Sequence, residues 1–227
     1  FETRATEYSK GATKGSWQDA EADCDAALVQ SPEHAGVFNS RGVTRISMQR
    51  NEDALADFNK AIELAPEWPL PMLNRARLKA QLGALPEALD DYTAAIALFE
   101  KAASTETTRP MTNGDQLSIY YTGRAMLECQ MGQHEAAERD FDRAVELDAE
   151  DPGALTGRGW FAFMTGRLES AMADFTESIN LRPDLPGGYI HRADVRISLD
   201  EPEAALEDLN EALSWAPESL EVLARRA

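Results

Sequence analysis

One interval governs this chain: the same residue types return every 34 positions. The most regular column is alanine, at Ala20, Ala54, Ala88, Ala137, Ala171 and Ala205. Four residues on stand Cys24, Phe58, Tyr92, Phe141, Phe175 and Leu209, and three beyond those Ala27, Ala61, Ala95, Ala144, Ser178 and Ala212. A step of four and then three keeps each set on one face of a helix. Pro32, Pro66, Pro183 and Pro217 should end that helix, because the residue before a proline avoids the α region. Glu100 and Ala149 fill the same column in the third and fourth units, so those ends are less sharply marked. Self-similarity at such a period fixes the architecture ahead of any other signal.

Each unit also carries an earlier helix. Its small-residue column is Gly42, Ala76, Ala125, Gly159, Ala193 and Ala227, and its bulky column, four residues before, is Phe38, Met72, Tyr121, Leu155, Tyr189 and Leu223. Large residues set against small ones let helices approach closely and interlock. Gly15, Gly83, Gly132 and Gly166 mark the turn between the two helices, and Pro86 and Pro202 stand where a second helix begins. The chain therefore reads as one domain, residues 1–227, built of units near 1–34, 35–68, 69–102, 118–151, 152–185 and 186–219, with a partial unit at 220–227. An insertion, 103–117, separates the third unit from the fourth.

These columns resemble the tetratricopeptide repeat, a 34-residue unit marked by a small residue, an alanine, an aromatic, a second alanine and a proline. The resemblance covers almost the whole chain. It implies an all-α, right-handed superhelical solenoid of antiparallel helix pairs, with the first helix of each pair lining a concave groove that binds peptides and protein partners. The first unit departs from the pattern with Glu7, Tyr8 and Gly11, as a cap or a frayed helix would.

A further pattern is ionic. Asp23, Asp57, Asp91, Asp140, Asp174 and Asp208 each precede the aromatic column, and Arg41, Arg75, Arg124, Arg158, Arg192 and Arg226 each precede the small-residue column. Six aspartates and six arginines match if each aspartate meets the arginine of the next unit. Asp57 is thus expected to pair with Arg75, Asp140 with Arg158 and Asp174 with Arg192, stapling adjacent units, which touch only their neighbours.

A second stripe on the first helices should face the groove. It holds Asn39, Val43 and Ile46, then Leu73, Asn74, Arg77 and Gln81, then Thr122, Met126, Cys129 and Gln130. It continues with Thr156, Trp160, Phe163 and Met164, and ends with Ile190, His191, Asp194 and Ile197. The lining is mildly apolar. Chaperone-binding members of the family hold a terminal carboxylate with lysines and asparagines; Asn39 and Asn74 are present here but the lysines are not, which argues against that clamp. Trp160, Phe161, Ala162, Phe163 and Met164 make the fifth unit's first helix apolar all round. Either a partner covers it or it lies deep in the core. In the insertion, Lys101 to Ser104 should extend the preceding helix, Asp115 or Ser118 should cap the next one, and the Thr-rich stretch with Pro110 and Asn113-Gly114 reads as a loop at the groove edge or as disorder.

Composition narrows the partners. Twenty-two basic residues against 40 acidic ones give a net charge of −18. Such a chain repels phosphate backbones, so nucleic acid and anionic membrane are not expected, and the acidity is most simply solubility. No apolar run reaches the length of a membrane span. Cys24 and Cys129, in separate units, read as free thiols and favour a reducing, cytoplasmic setting. The chain opens at Phe1 without methionine, so a removed leader would instead make it periplasmic or secreted.

Signs of chemistry are sparse. His34 and His134 lie near turns. His191 and Asp194 share a face, but no nucleophile motif, glycine-rich phosphate loop or second histidine at ligand spacing accompanies them. Catalysis, cofactor and metal are not expected. The expected function is a non-catalytic scaffold that binds a peptide or protein segment in its groove. The alternatives are a self-associating module, a homodimer through Leu220 and Leu223 of the partial unit, or the targeting arm of a larger enzyme.

Overall fold

A computed structural model describes residues 14–104 and 113–226, and among them every regular element is helical. Twelve helices follow in order: α1 (Lys14–Gln30), α2 (Ala35–Ser47), α3 (Asn51–Leu64), α4 (Pro69–Gln81), α5 (Leu85–Ser104), α6 (Asn113–Gln130), α7 (His134–Leu147), α8 (Pro152–Met164), α9 (Leu168–Leu181), α10 (Pro186–Ser198), α11 (Pro202–Trp215) and α12 (Leu220–Arg226). The chain divides into two compact units, Phe1–Pro110 and Met111–Ala227. The first holds α1–α5 and the second α6–α12.

Helix ends follow local chemistry. Helices α1, α3, α9 and α11 each stop two residues before Pro32, Pro66, Pro183 and Pro217. Helix α7 stops at the same place in its unit without a proline, because Asp148 accepts from the Glu150 amide at 3.0 Å and turns the chain there. Helix α5 has neither device and continues to Ser104, so the expected extension through Lys101–Ser104 is present. Proline occupies the first turn of α4, α8, α10 and α11, where no amide hydrogen is needed.

Three expectations are corrected. Helix α6 begins at Asn113, so Ser118 and Asp115 lie inside it rather than capping it, and Ser118 is buried. Gly15 is the second residue of α1, not part of a turn. Asn113 and Gly114, expected in a loop, are the first two residues of α6. Cys24 is half-buried. Residues 105–112 of the insertion, and Glu7, Tyr8 and Gly11 of the first unit, lie outside the described residues.

Within each unit, the closest packing joins the two helices of a pair: α2 with α3, α4 with α5, α6 with α7, α8 with α9, and α10 with α11. The periodic columns form the core. Ala54, Ala61, Phe58, Ala137, Ala144, Phe141, Ala171 and Phe175 have no measurable exposure, and Tyr92 and Leu209 are buried with them. Gly42 and Gly159 show why their column is small. A Cβ on Gly42 would stand 2.6 Å from the Phe58 ring, and one on Gly159 2.8 Å from the Phe175 ring. Burying such aromatics contributes about 1.5–3 kcal/mol each.

Candidate functional site

The recurring arginines and aspartates meet, but not as expected. Asp57 is held by Arg41, not Arg75; Arg75 holds Asp91; Arg158 holds Asp174, not Asp140; and Arg192 holds Asp208, not Asp174. Asp140 in turn belongs to Arg124. Each pair is bidentate, through Nε and Nη2, at 2.6–3.0 Å. The two residues are sixteen apart and face each other across one antiparallel helix pair. An arginine's remaining nitrogen provides the link between units. Nη1 reaches back to Asp25 from Arg41 (2.6 Å), to Asn59 from Arg75 (2.5 Å), to Thr176 from Arg192 (3.2 Å) and to Asn210 from Arg226 (3.3 Å). A planar fork with donors on three sides suits this double duty.

Four residues after each arginine lies a second column, which sequence reading passed over: Arg45, Lys79, Glu128, Ala162 and Arg196. Where it is basic it supplies a second cation to the same aspartate, Arg45 to Asp57 at 2.7 Å, Lys79 to Asp91 at 2.8 Å and Arg196 to Asp208 at 2.9 Å. In α6 the column is Glu128, which is buried, and its Oε2 finds no hydrogen-bond partner among the described residues. Burial first, and the negative charge of Asp140 second, push its carboxyl up to about 7, with Arg124 and Arg139 pulling the other way. In α8 the column is Ala162, buried and without charge.

The stripe on the first helices is placed unevenly. In the first unit Asn39 is buried and accepts from the Asn74 side chain at 2.9 Å, so these two amides serve each other. Val43 and Arg77 are exposed, and Arg77 lies beside the buried Tyr92 phenol, whose pKa burial raises. Leu73 is core. In the second unit Met126, Met164 and Ile197 are 51%, 63% and 51% exposed, on three successive first helices. Trp160 and Phe163 are half-buried and pack against the core around Phe175, Ala171 and Val195. Ile190 is buried in the last core cluster rather than on the stripe. Cys129 is half-buried, and burial pushes its thiol above the ordinary range, away from reactivity.

His191 stacks on Phe175 with ring centres 5.5 Å apart, and burial lowers its pKa. The Asp194 carboxylate beside it, 3.9 Å away, accepts from Arg225 at 3.0 Å. A neutral ring on an aromatic face and a carboxylate already paired make a packing arrangement, not an acid–base dyad. His34 is exposed and its ring accepts from the Val37 amide at 3.3 Å, capping α2. Among the described residues no three histidine, cysteine or acidic side chains gather as a metal site, and no helix is long and apolar enough to cross a membrane.

Paired helices in a 34-residue period, cores of alanine and aromatic columns and the absence of strands among the described residues define an all-α helical-repeat protein. Tetratricopeptide repeat models match residues 40–104, 122–186 and 187–219, and the chain belongs to that family. Such proteins generally mediate protein–protein interaction. The chain is 34% identical over 64 residues to a STIP1 homolog of Dictyostelium discoideum and 29% identical over 92 residues to the Hsp70-Hsp90 organizing protein of Triticum aestivum. These matches cover 28% and 40% of this chain and only 11% and 15% of those proteins. Among solved structures it resembles the type IV pilus biogenesis factor PilW, with a TM-score of 0.78 at 19% identity over 98% of this chain and 95% of that one. The Cut9–Hcn1 structure gives 0.75 at 19% identity over 93% and 39%. A further neighbour is YrrB, a repeat protein with an unusual peptide-binding site, at a TM-score of 0.57 and 19% identity over 89% and 97%. At such identities the likeness concerns the fold.

Proposed function

We propose that this chain is a non-catalytic scaffold that binds a protein segment along the first-helix stripe of its second unit. The observation that carries this reading is the run of exposed apolar side chains Met126, Met164 and Ile197 on α6, α8 and α10, with Trp160 and Phe163 half-open beside them. Apolar side chains in a contiguous exposed run mark interaction surfaces, and methionine adapts to varied partners. In the first unit, taken by itself, Arg77 and Val43 beside the paired Asn39 and Asn74 offer a separate contact surface; in the second, His191 and Cys129 contribute shape rather than reactivity. The stripe lacks the lysines of a carboxylate clamp, which favours an apolar segment over a charged terminus.

The test is capture of partners from an extract of the source organism by the wild type and by Met164→Lys. Because Met164 is exposed, the variant should melt like the wild type and lose the partners. Retention of every partner by a folded Met164→Lys chain would sink the reading.

A second reading, self-association through α12, has its own support. Leu220 is 81% exposed and Leu223 lies partly open, while Val222 between them is buried. Light scattering on the wild type and on Leu220→Lys separates it from the first, since only a dimer loses mass on substitution.

A further inference from the structure

We propose that the cavity beside Ala162 binds the guanidinium of an arginine carried by a partner polypeptide. The cavity has a volume of about 340 Å³ and is lined by Glu138 and Asp142 of α7, Arg158 and Phe161 of α8, and Asp174 of α9. The chain itself shows what such a place accommodates. One repeat period governs both units, so Glu138, Asp142, Ala162, Arg167 and Asp174 correspond in turn to Glu21, Asp25, Arg45, Arg50 and Asp57. In the earlier copy Arg45 fills the equivalent space, with Nε on Glu21 at 2.7 Å and Nη1 on Asp57 at 2.7 Å.

Both carboxylates survive at the later site, and the cation does not. The earlier copy sets four carboxylates, Glu21, Asp25, Asp53 and Asp57, against three guanidiniums, Arg41, Arg45 and Arg50. The later one has Ala162 where Arg45 stood and Ser170 where Asp53 stood, so Glu138, Asp142 and Asp174 keep Arg158 and Arg167, and the space that Arg45 fills is left without its cation. Arg167 does not fill the gap, since it bonds Glu138 while lying over the Phe161 ring at 5.3 Å, just as Arg50 bonds Glu21 alongside Arg45. A buried carboxylate with an open side next to it takes a cation with planar donors best, because desolvation strengthens charge-assisted bonds and the fork matches the oxygens.

A neighbouring cavity of about 620 Å³ indicates a polypeptide rather than a free guanidinium compound. It is lined by Leu168, Met172 and Leu199 and shares Ala173 with the first. An arginine flanked by an aliphatic residue fills both; a small cation fills one. The site does not depend on the first-helix stripe. Ala162 and Trp160 lie about 200° apart around α8, and apart from Arg158, Phe161 and Ala162 of α8 and the turn residue Arg167 the lining comes from the second helices α7 and α9.

The test is calorimetric titration of the chain with acetyl-Leu-Arg-Leu-amide and with its citrulline twin, which keeps the shape and loses the charge. The arginine peptide should bind at least roughly tenfold tighter. Ala162→Arg should abolish that binding and raise Tm by about 2–4 °C, its own guanidinium taking the place. Glu138→Gln, a change at a half-exposed side chain outside the apolar core, should narrow the gap between the peptides. Equal affinities, unchanged binding by Ala162→Arg, or a lowered Tm for that variant would each overturn the proposal. Because Ala162 is outside the stripe, such a failure leaves the partner-capture experiment on Met164 untouched.

Discussion

Arg158 sends Nε and Nη2 to the two oxygens of Asp174 at 2.9 and 2.7 Å, across its own helix pair, while Nη1 stands 3.6 Å from Asp142 of the pair before. One guanidinium therefore touches three helices, α7, α8 and α9. The carboxylate it grips is nearly buried. Leaving such a carboxylate without its partner costs about 3–5 kcal/mol, far more than an exposed ion pair contributes. The pair fixes how α8 sits on α9, and the looser ion pair of Arg158 with Asp142 draws that hairpin toward α7.

This geometry makes a thermodynamic cycle decisive. Arg158→Ala and Asp174→Asn should show a coupling of about 1–3 kcal/mol in urea unfolding, because they share two hydrogen bonds. Asp174→Asn and Arg192→Ala should add to within about 0.5 kcal/mol, since Arg192 bonds Asp208 instead. Strong coupling in the second cycle and none in the first would mean that the staple runs between units after all.

Much of this fold was legible because each column had to fill the same kind of place. Ala54, Phe58 and Ala61 lie at zero exposure for the reason their spacing implied, and Pro66 stops α3 two residues ahead of itself. The ion pairs were misassigned because equal totals of arginine and aspartate cannot discriminate a shift of one unit in a periodic chain. The antiparallel hairpin decides instead, since it brings residues sixteen apart face to face. Glu128 and Ala162 were missed although the signal was present. Their column reads Arg, Lys, Glu, Ala, Arg, and its breaks stand out once Arg45 is seen on Asp57. Of the residues read as the stripe, Met126, Met164 and Ile197 are exposed, while Asn39 and Ile190 turn inward because a period of 3.6 leaves the edge of a face undefined.

Glu128 gives the chain a pH dependence of definite sign. Its carboxyl rises from 4.5 unfolded to about 7 folded, burial being the main cause. Between those values the folded chain holds a proton that the unfolded chain has released, so stability falls as pH rises through this window and the full penalty applies above it. Glu128→Gln mimics the protonated form. It should match the wild type near the lower bound and exceed it at pH 8 by about 1–2 kcal/mol, a figure reduced for water screening at the site. Glu128→Lys should stabilise further, by placing on Asp140 the cation that Lys79 places on Asp91. Urea midpoints at pH 5 and 8 check both, and a Gln variant no more stable at pH 8 would refute the account.

Two turns carry backbone strain that glycine relieves elsewhere. Gly83, Gly132 and Gly166 adopt φ of 81°, 73° and 78°, while Gln49 and Asp200 hold φ of 61° and 64° at the same point of their units. Gln49→Gly should stabilise by about 0.5–1 kcal/mol, and Asp200→Gly by less, because aspartate tolerates this region better. The converse, Gly166→Ala, should cost about 1 kcal/mol through the backbone alone, since a Cβ there meets no atom within 4 Å. Denaturant midpoints with unchanged slopes are the readout; a neutral Gly166→Ala would show that this turn is not held left-handed.

Asp151 caps α8 and anchors α6 with the same side chain. Its Oδ1 accepts from the Gly153 amide at 2.8 Å, and its Oδ2 accepts from the buried Ser118 hydroxyl at 2.9 Å. Asp151→Ala should lose the cap and strand the hydroxyl, at a cost of about 1–2 kcal/mol. Ser118→Ala removes only the second bond, for about 1 kcal/mol. The double variant should fall short of their sum, because once the carboxylate is gone Ser118 has no acceptor left to lose there. Asp151→Asn separates the two roles. Its amide oxygen keeps the cap, its NH₂ faces Ser118, and the hydroxyl can rotate to accept, so the loss should be below that of Asp151→Ala. An asparagine as damaging as alanine would mean that the charge at the start of α8, rather than the hydrogen bonds, carries the effect.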